Sequence, residues 1–235
     1  MTFYQTLTPY YDQIFPANQK QINFINDTFE KGSSLLDVGA GTGNVACALV
    51  EEGYVVTASE PEEMMAAKIK EKAAKYDGKL HVLTDSMQEL EKHTDSYDGI
   101  YCNGNTLVHL HDMAEITTFL QQACKKLKEH GKLIIQIVNY DKVLVKKDFK
   151  FPIMNKETFT FERSYELSGE HVLFTTTLTV DSQKMSNTIP LFPATKDQLE
   201  PVLRDSGFTS IEFFANFEKA PYTADAPALI LVAAK

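Results

Sequence analysis

Apolar and polar positions along the chain alternate between two periods. Short, mostly apolar runs fall at LLDV (35–38), VVTAS (55–59), KLHVL (79–83), YDGIYC (97–102) and KLIIQIVNY (132–140). Each is short enough for a strand, and the last reads as a central strand covered on both faces. Between them the spacing turns helical. Ile22, Ile25 and Phe29 predict a helix over 18–30, and further helices follow over about 43–52, 62–76 and 113–129. In the last of these, Ile116, Phe119, Leu120, Ala123 and Leu127 form one stripe. Thr195 and Gln198 have capping-box spacing for a helix ending near Gly207, and strands over 209–215 and 227–234 finish the chain. Strands alternating with helices predict an α/β three-layer sandwich around a mostly parallel sheet.

One segment breaks this alternation. Over about 141–193 the period is two: Phe159, Phe161, Arg163, Tyr165 and Leu167, then Val172, Phe174, Thr176, Leu178 and Val180 after a Ser168-Gly169 turn. A third run, 184–191, follows Asp181-Ser182. This predicts an antiparallel meander with one buried face, inserted in a single domain spanning 1–235.

The first apolar run leads into Gly39, Gly41 and Gly43 and then a helix. Glycine lets a ligand approach the backbone of such a turn, and the helix start offers free N–H groups to an anion. Glu60 ends the second run, 21 residues after Gly39, where doubly wound folds place an acid that accepts ribose hydroxyls. A dinucleotide frame from Gly39 puts Asn44 where glycine is needed. Starting at Gly41, G-T-G-N-V-A fits the looser fingerprint but leaves Gly39 and Asp37 unexplained.

D-x-G-x-G-x-G over 37–43 resembles motif I of the class I S-adenosylmethionine-dependent methyltransferases, and CNGNTLVHL (102–110) resembles their glycine N-methyltransferase-like, small-molecule branch. The resemblance implies a Rossmann-like fold of seven strands in the order 3-2-1-4-5-7-6, the last antiparallel, with the meander roofing the substrate pocket. It implies S-adenosylmethionine as cofactor. Asp37 would hold the ammonium, with Gly39, Ala40, Gly41, Gly43 and Asn44 around the methionyl chain. Glu60 would take the ribose, with Pro61 and Met64 beside it. Asp85 would accept from the adenine amino group, with Ser86 and Met87 bordering the ring, and Asn103, Gly104 and Asn105 would lie near the sulfonium. Asp85 also fits a helix N-cap, and Glu60 a capping role. Two alternatives stay open at this level: an NAD-dependent oxidoreductase and a non-catalytic cofactor-binding module.

Candidates for contact with the acceptor are fewer. His109 and His111 follow the fourth strand and can move a proton or simply pack. Tyr10 and Tyr11 resemble lid tyrosines of the family. Arg163, with Tyr165 two residues on, is a rare arginine on an apolar strand face; it reads as a fork for a carboxylate or as a snorkelling side chain. His109, Tyr11 and Asn105 are the catalytic candidates. A sulfonium-activated methyl group makes a general base optional.

Composition narrows the partners. The 235 residues carry 23 basic and 32 acidic side chains, a net charge of −9, with only two arginines. That balance argues against nucleic acid, which needs a positive surface. The lysines of 141–150 read as solvated surface. No run reaches membrane-spanning length and no leader-like pattern opens the chain, so no membrane partner is expected. Cys47, Cys102 and Cys124 lack paired spacing, which fits reduced thiols in the cytoplasm and no metal site. The expected partner is a small-molecule methyl acceptor, an amine by resemblance.

Overall fold

The computed structural model describes residues 3–147 and 151–235. After short helices α1 (Phe3–Leu7) and α2 (Tyr11–Ile14) comes α3 (Gln19–Asn26), capped by Asn18, whose side chain accepts from Lys20 N. Then β1 (Ser34–Val38), α4 (Asn44–Glu51), β2 (Val55–Ser59), α5 (Glu63–Ala73), β3 (Leu80–Leu83), β4 (Tyr97–Cys102), α6 (Met113–Lys126) and β5 (Leu127–Val138) alternate as the periodicity predicts. Next come α7 (Tyr140–Lys146), β6 (Met154–Asn155), β7 (Thr160–Ser168), β8 (His171–Val180), β9 (Gln183–Leu191), α8 (Lys196–Asp205), β10 (Ser210–Phe214) and β11 (Ala228–Ala234). No helix among the described residues is long and apolar enough to cross a membrane.

The main sheet runs β10-β11-β5-β4-β1-β2-β3, and β11 pairs antiparallel with both neighbours. This is the Rossmann-like order expected, with the last strand inserted beside β5. Side chains one residue apart enter opposite layers. Leu35 packs with α3 and α4, while Leu36 packs with α6. Both faces are therefore covered, which is why these strands read as continuous apolar runs.

The meander forms a second, four-stranded antiparallel sheet, β6-β7-β8-β9. Its register places Phe161 opposite Leu178, Arg163 opposite Thr176 and Tyr165 opposite Phe174, on one face. The β8–β9 hairpin turns at Asp181 and Ser182, both at positive φ as a two-residue primed turn requires. The β7–β8 turn falls at Gly169-Glu170, one residue later than the sequence suggested, because Ser168 still pairs with His171. Phe159, Phe161 and Leu178 pack against Leu7 and Ile14, so the N-terminal helices and the roof share one apolar cluster.

Several boundaries differ from expectation: α3 stops at Asn26, so Phe29 lies past its end, and α5 stops at Ala73. Strand β5 begins at Leu127, since Leu127 pairs with Tyr97 across an irregularity that includes His130 at positive φ, and α6 stops earlier. The lysine-rich 141–150 segment begins as helix α7, anchored by Tyr140 and Val143; its residues 148–150 lie outside the described residues. The two-residue β6 had no signal of its own.

At the end of β5, fully buried Asn139 turns the chain. Its Nδ2 donates to the carbonyls of Ala224 and Ala226 at 3.0 Å and of Thr223 at 3.3 Å, and Oδ1 accepts from Tyr222 Oη at 2.8 Å. Asn139→Ala strands these partners. It should lower unfolding stability by about 1–3 kcal/mol in a urea titration; no loss would mean that the bonds are replaced by solvent.

Candidate active site

The sheet order reverses between β1 and β4, and a crevice opens at the carboxyl ends of the strands there, as switch points do. A cavity of about 690 Å³ occupies it, and a second of about 180 Å³ adjoins. Gly39, Gly104, Tyr4, Tyr11 and His109 line both.

Glycine is obligatory at the turn. Gly39 sits at φ +74°, and a Cβ there would fall 2.3 Å from Thr106 Cγ2. At Gly41, φ +59°, it would collide with the Tyr11 ring at 2.7 Å. The turn delivers the start of α4, with Asn44 and Val45 lining the larger cavity beside Ala40. Gly43 caps α4 in the left-handed region and packs over Ile69.

Two acids face this turn from adjacent strand ends. Burial pushes the Asp37 carboxyl up to about 8; the Tyr101 hydroxyl works against that shift and the nearby Glu60 adds to it. Burial likewise lifts Glu60 to about 7, although backbone amides oppose it: Glu62 N donates to one carboxylate oxygen at 3.0 Å and Gly41 N to the other at 2.7 Å. No basic side chain among the described residues lies within ion-pairing distance of either acid. Asn103 is buried, and both ends of its side-chain amide lack a partner among the described residues although it lines the larger cavity. Unpaired acids, an orphaned amide and a turn without room for side chains fit a ligand with an ammonium group and hydroxyls.

The loop after β4 is stitched to β5. Gln136 Oε1 accepts from Gly104 N at 2.8 Å, and its backbone carbonyl from Asn105 N at 3.1 Å. Asn105, at φ +69°, accepts from Val138 N at 2.9 Å and donates to Tyr140 Oη at 3.0 Å, so its side chain braces the wall. Tyr140 Oη in turn lies 3.4 Å from Tyr165 Oη. Burial holds His109 down to about 4, and its Nε2 is 3.0 Å from Tyr4 Oη. It is neutral near pH 7.

Arg163 lines the larger cavity from the roof. Its guanidinium lies 5.1 Å from the Phe151 ring centroid and 5.7 Å from that of Phe161. Its Nε is buried with no hydrogen-bond partner among the described residues, and no acid pairs with it there. The same side chain also borders an open groove with Ser164 and Thr175, so it sits half-buried at the edge of the roof.

Most sequence candidates converge. Asp37, Gly39, Ala40, Asn44, Asn103, Gly104, Asn105, Tyr11, His109, Arg163 and Tyr165 line the larger cavity; Glu60, Pro61, Ser86 and Met87 line the smaller. Four do not. Met64 is 47 % exposed, because the phase of α5 turns Met65 inward instead. The Asp85 carboxylate faces His93 Nε2 at 3.4 Å, and the N-cap after β3 is Ser86, boxed by Glu89. Tyr10 packs edge-on against Phe159 under the roof. His111 stacks on His171 at the exposed rim.

Tyr4, Thr106, Gln136 and Tyr140 escaped the sequence reading. Only Gln136 gave a signal, as the one polar residue within the apolar run 133–138. The N-terminal segment is tied to the turn: Asp12 accepts from Thr42 Oγ1 and from Lys72 Nζ, and Asn44 Nδ2 donates to the Phe15 carbonyl.

Residues 35–131 match the family model described as a methyltransferase domain. The glycine/sarcosine/dimethylglycine N-methyltransferase of Actinopolyspora halophila is 27% identical over 219 residues, 87% of this chain but 36% of that protein. The glycine/sarcosine N-methyltransferase of Aphanothece halophytica is 25% identical over 90% of this chain and 80% of its own. The chain thus spans about a third of the first relative and four fifths of the second. A crystal structure of an S-adenosylmethionine-dependent methyltransferase from Clostridium acetobutylicum superposes with a TM-score of 0.83 at 14% identity, covering 98% of each chain. The motif order, the family model over residues 35–131 and these relatives agree with one another in pointing to a methyltransferase, and the sheet is the fold of the Clostridium enzyme. Neither the nicotinamide alternative nor the non-catalytic one gains support.

The raised acids fix a sign for stability. Between about pH 4 and 8 the folded chain holds protons on Asp37 and Glu60 that the unfolded chain has released, so these groups make stability fall as pH rises. Asp37→Asn should flatten that fall: melting scans of the cofactor-free protein at pH 6 and pH 8 should differ less than for wild type. An unchanged difference would mean that Asp37 is ordinarily ionised.

Proposed function

We propose that the chain moves a methyl group from S-adenosylmethionine to the nitrogen of a small amine that carries a carboxylate. The observation that supports this most is Arg163, whose buried Nε lacks a partner among the described residues and which shares a cavity with Asp37 and Asn103. A guanidinium in such a place suits a planar carboxylate held by two bonds. The names of the relatives, enzymes of glycine and sarcosine, agree with an amino-acid type of acceptor.

In this reading Asp37 holds the cofactor's ammonium, Glu60 its ribose hydroxyls and Asn103 the methionyl chain, while Ser86 and Met87 border the base. The cofactor supplies a methyl group already activated by a positive sulfonium, so the protein needs no nucleophile of its own. Its contribution is alignment and the exclusion of water, an effect worth on the order of 7–11 kcal/mol in favourable systems. Arg163 and the roof fix the acceptor; Tyr4 and Tyr11 close the cavity above the turn. An amine must lose its proton to attack, and a desolvating cavity with a guanidinium nearby lowers its pKa. His109, held neutral, adds no positive charge at the reacting nitrogen and serves as a hydrogen-bonding partner of Tyr4.

Purified protein incubated with the cofactor and an amine panel, read by mass spectrometry, tests the reaction: methylated amino carboxylates are expected, and a cofactor left intact with every amine would overturn it. Glu60→Ala should weaken cofactor binding by about 1.5–3 kcal/mol in calorimetry through loss of charge-assisted bonds; unchanged affinity would remove the ribose contact. Arg163→Ala should raise KM for the carboxylated acceptor roughly 10- to 100-fold, the equivalent of about 1.5–3 kcal/mol. Arg163→Lys should recover part of the loss. An unchanged KM would dismiss the carboxylate fork.

A further inference from the structure

Tyr165 follows Arg163 by two residues on β7, so both side chains leave the same face of the roof, about 7 Å apart at the backbone. Both line the larger cavity. The Tyr165 ring is held from two sides: Phe151 meets it edge-to-face at 4.8 Å and 88°, and Phe174 at 5.3 Å and 70°. Rings braced in this way fix where the phenol oxygen lies. What the hydroxyl can bind there depends on where its proton points.

A chain of hydrogen bonds from β5 sets that direction. Val138 N donates to Asn105 Oδ1 at 2.9 Å, which fixes the amide and turns Nδ2 toward Tyr140 Oη, 3.0 Å away. Tyr140 is fully buried, so its own proton needs an acceptor inside the protein. A hydroxyl that accepts from Nδ2 turns its proton away from the oxygen of the same amide. Oδ1, 3.4 Å off and already bonded to Val138, is therefore the poorer choice. Tyr165 Oη, also at 3.4 Å, is the other acceptor in reach among the described residues. It takes the Tyr140 proton, and the proton of Tyr165 itself is left for the cavity. Burial pushes the Tyr165 phenol up, against the opposing influence of Tyr140, Arg163 and Asn105, so the hydroxyl keeps that proton.

A donor cannot take the N–H of an amine, and a bond to the amine lone pair would block its attack on the methyl group. The partner of Tyr165 is therefore an oxygen. We infer that the Tyr165 hydroxyl is a second donor to the carboxylate of the methyl acceptor, beside the Arg163 guanidinium, and that Tyr140 and Asn105 are positioning residues that aim it. This rests on the reading of Arg163 given above. The consequence is selectivity: an aimed donor favours a carboxylate, which accepts at both oxygens, over a carboxamide, whose NH2 end meets it with protons.

The test measures methyl transfer by the purified chain and its variants to glycine, sarcosine, leucine and phenylalanine, and to the amide of each. Tyr165→Phe keeps the ring and its packing. It should raise KM for the best of the four acids at least about tenfold, as loss of one bond to a charged group does, and narrow the preference for that acid over its amide. KM does not depend on how much of a variant folds. Tyr140→Phe should raise KM by a smaller factor in the wild-type background and add nothing to Tyr165→Phe, because the two hydroxyls act as one unit. An unchanged KM and acid-to-amide ratio in Tyr165→Phe would overturn the inference; if Arg163→Ala still raises KM, the proposed reaction stands. A Tyr140→Phe effect that multiplies with that of Tyr165→Phe, or no effect at all, would overturn the aiming by Tyr140. No acid methylated, or an amide preferred by the wild type, would overturn the carboxylate reading and this inference together.

Discussion

Asp37 and Glu60 are buried side by side at the carboxyl ends of adjacent parallel strands, with no cation paired to either among the described residues. Removing a carboxylate from water without a partner is costly, and the chain meets that cost by protonation, with Asp37 lifted to about 8 and Glu60 to about 7. The register explains the proximity. Asp37 pairs with Ala58 and Val38 with Ser59, so Glu60 emerges one residue past the end of the ladder, next to the glycine turn. Gly41 N reaches Glu60 only because the turn has no side chains in the way. A site built like this suits a bound positive charge and hydroxyl donors.

The surrounding elements keep the pair dry and accessible from one side. The third strand contributes Ser86 and Met87 to the smaller cavity, and the fourth sends Asn103 into the larger one. Above them the N-terminal helices and the roof are one packed unit, joined through Leu7, Ile14, Phe159, Phe161 and Leu178. The cover over the glycine turn and the wall of the larger cavity are therefore mechanically linked: displacing α1 and α2 strips apolar area from the roof. Lys72 pins the same segment from below by pairing with Asp12 and donating to the Thr42 carbonyl. Closure over the turn and the shape of the acceptor wall depend on one another.

What the sequence made legible is local chemistry. Glycines that tolerate only backbone, a capping box at Thr195 and Gln198, and alternation along Phe161, Arg163 and Tyr165 are all set within a few residues, and the structure reproduces them. What stayed hidden depends on direction and distance. Met64 and Met65 differ by one helical step, about 100° of rotation, and periodicity over a short helix start cannot choose between them. Asp85 follows its strand where an acid was expected, yet its carboxylate lies 3.4 Å from the ring of buried His93, eight residues on, and lines neither cavity. Tyr4 rather than Tyr10 meets His109, since the path of the N-terminal segment is fixed by contacts with distant roof residues. Asn105 looked like a site residue and lines the cavity, but its bonds to Val138 and Tyr140 make it a brace between two strands.

If, as proposed, a ligand ammonium lies beside Asp37 and hydroxyls on Glu60, both favour the ionised acids and cofactor binding near neutral pH expels protons. Calorimetric titration of the protein with S-adenosylmethionine at pH 7, in buffers of different ionisation enthalpy, reads that number directly. Release of roughly one proton or more per cofactor bound is expected. A binding enthalpy independent of buffer would contradict it, since the two acids would then be ionised already or would not meet the cofactor.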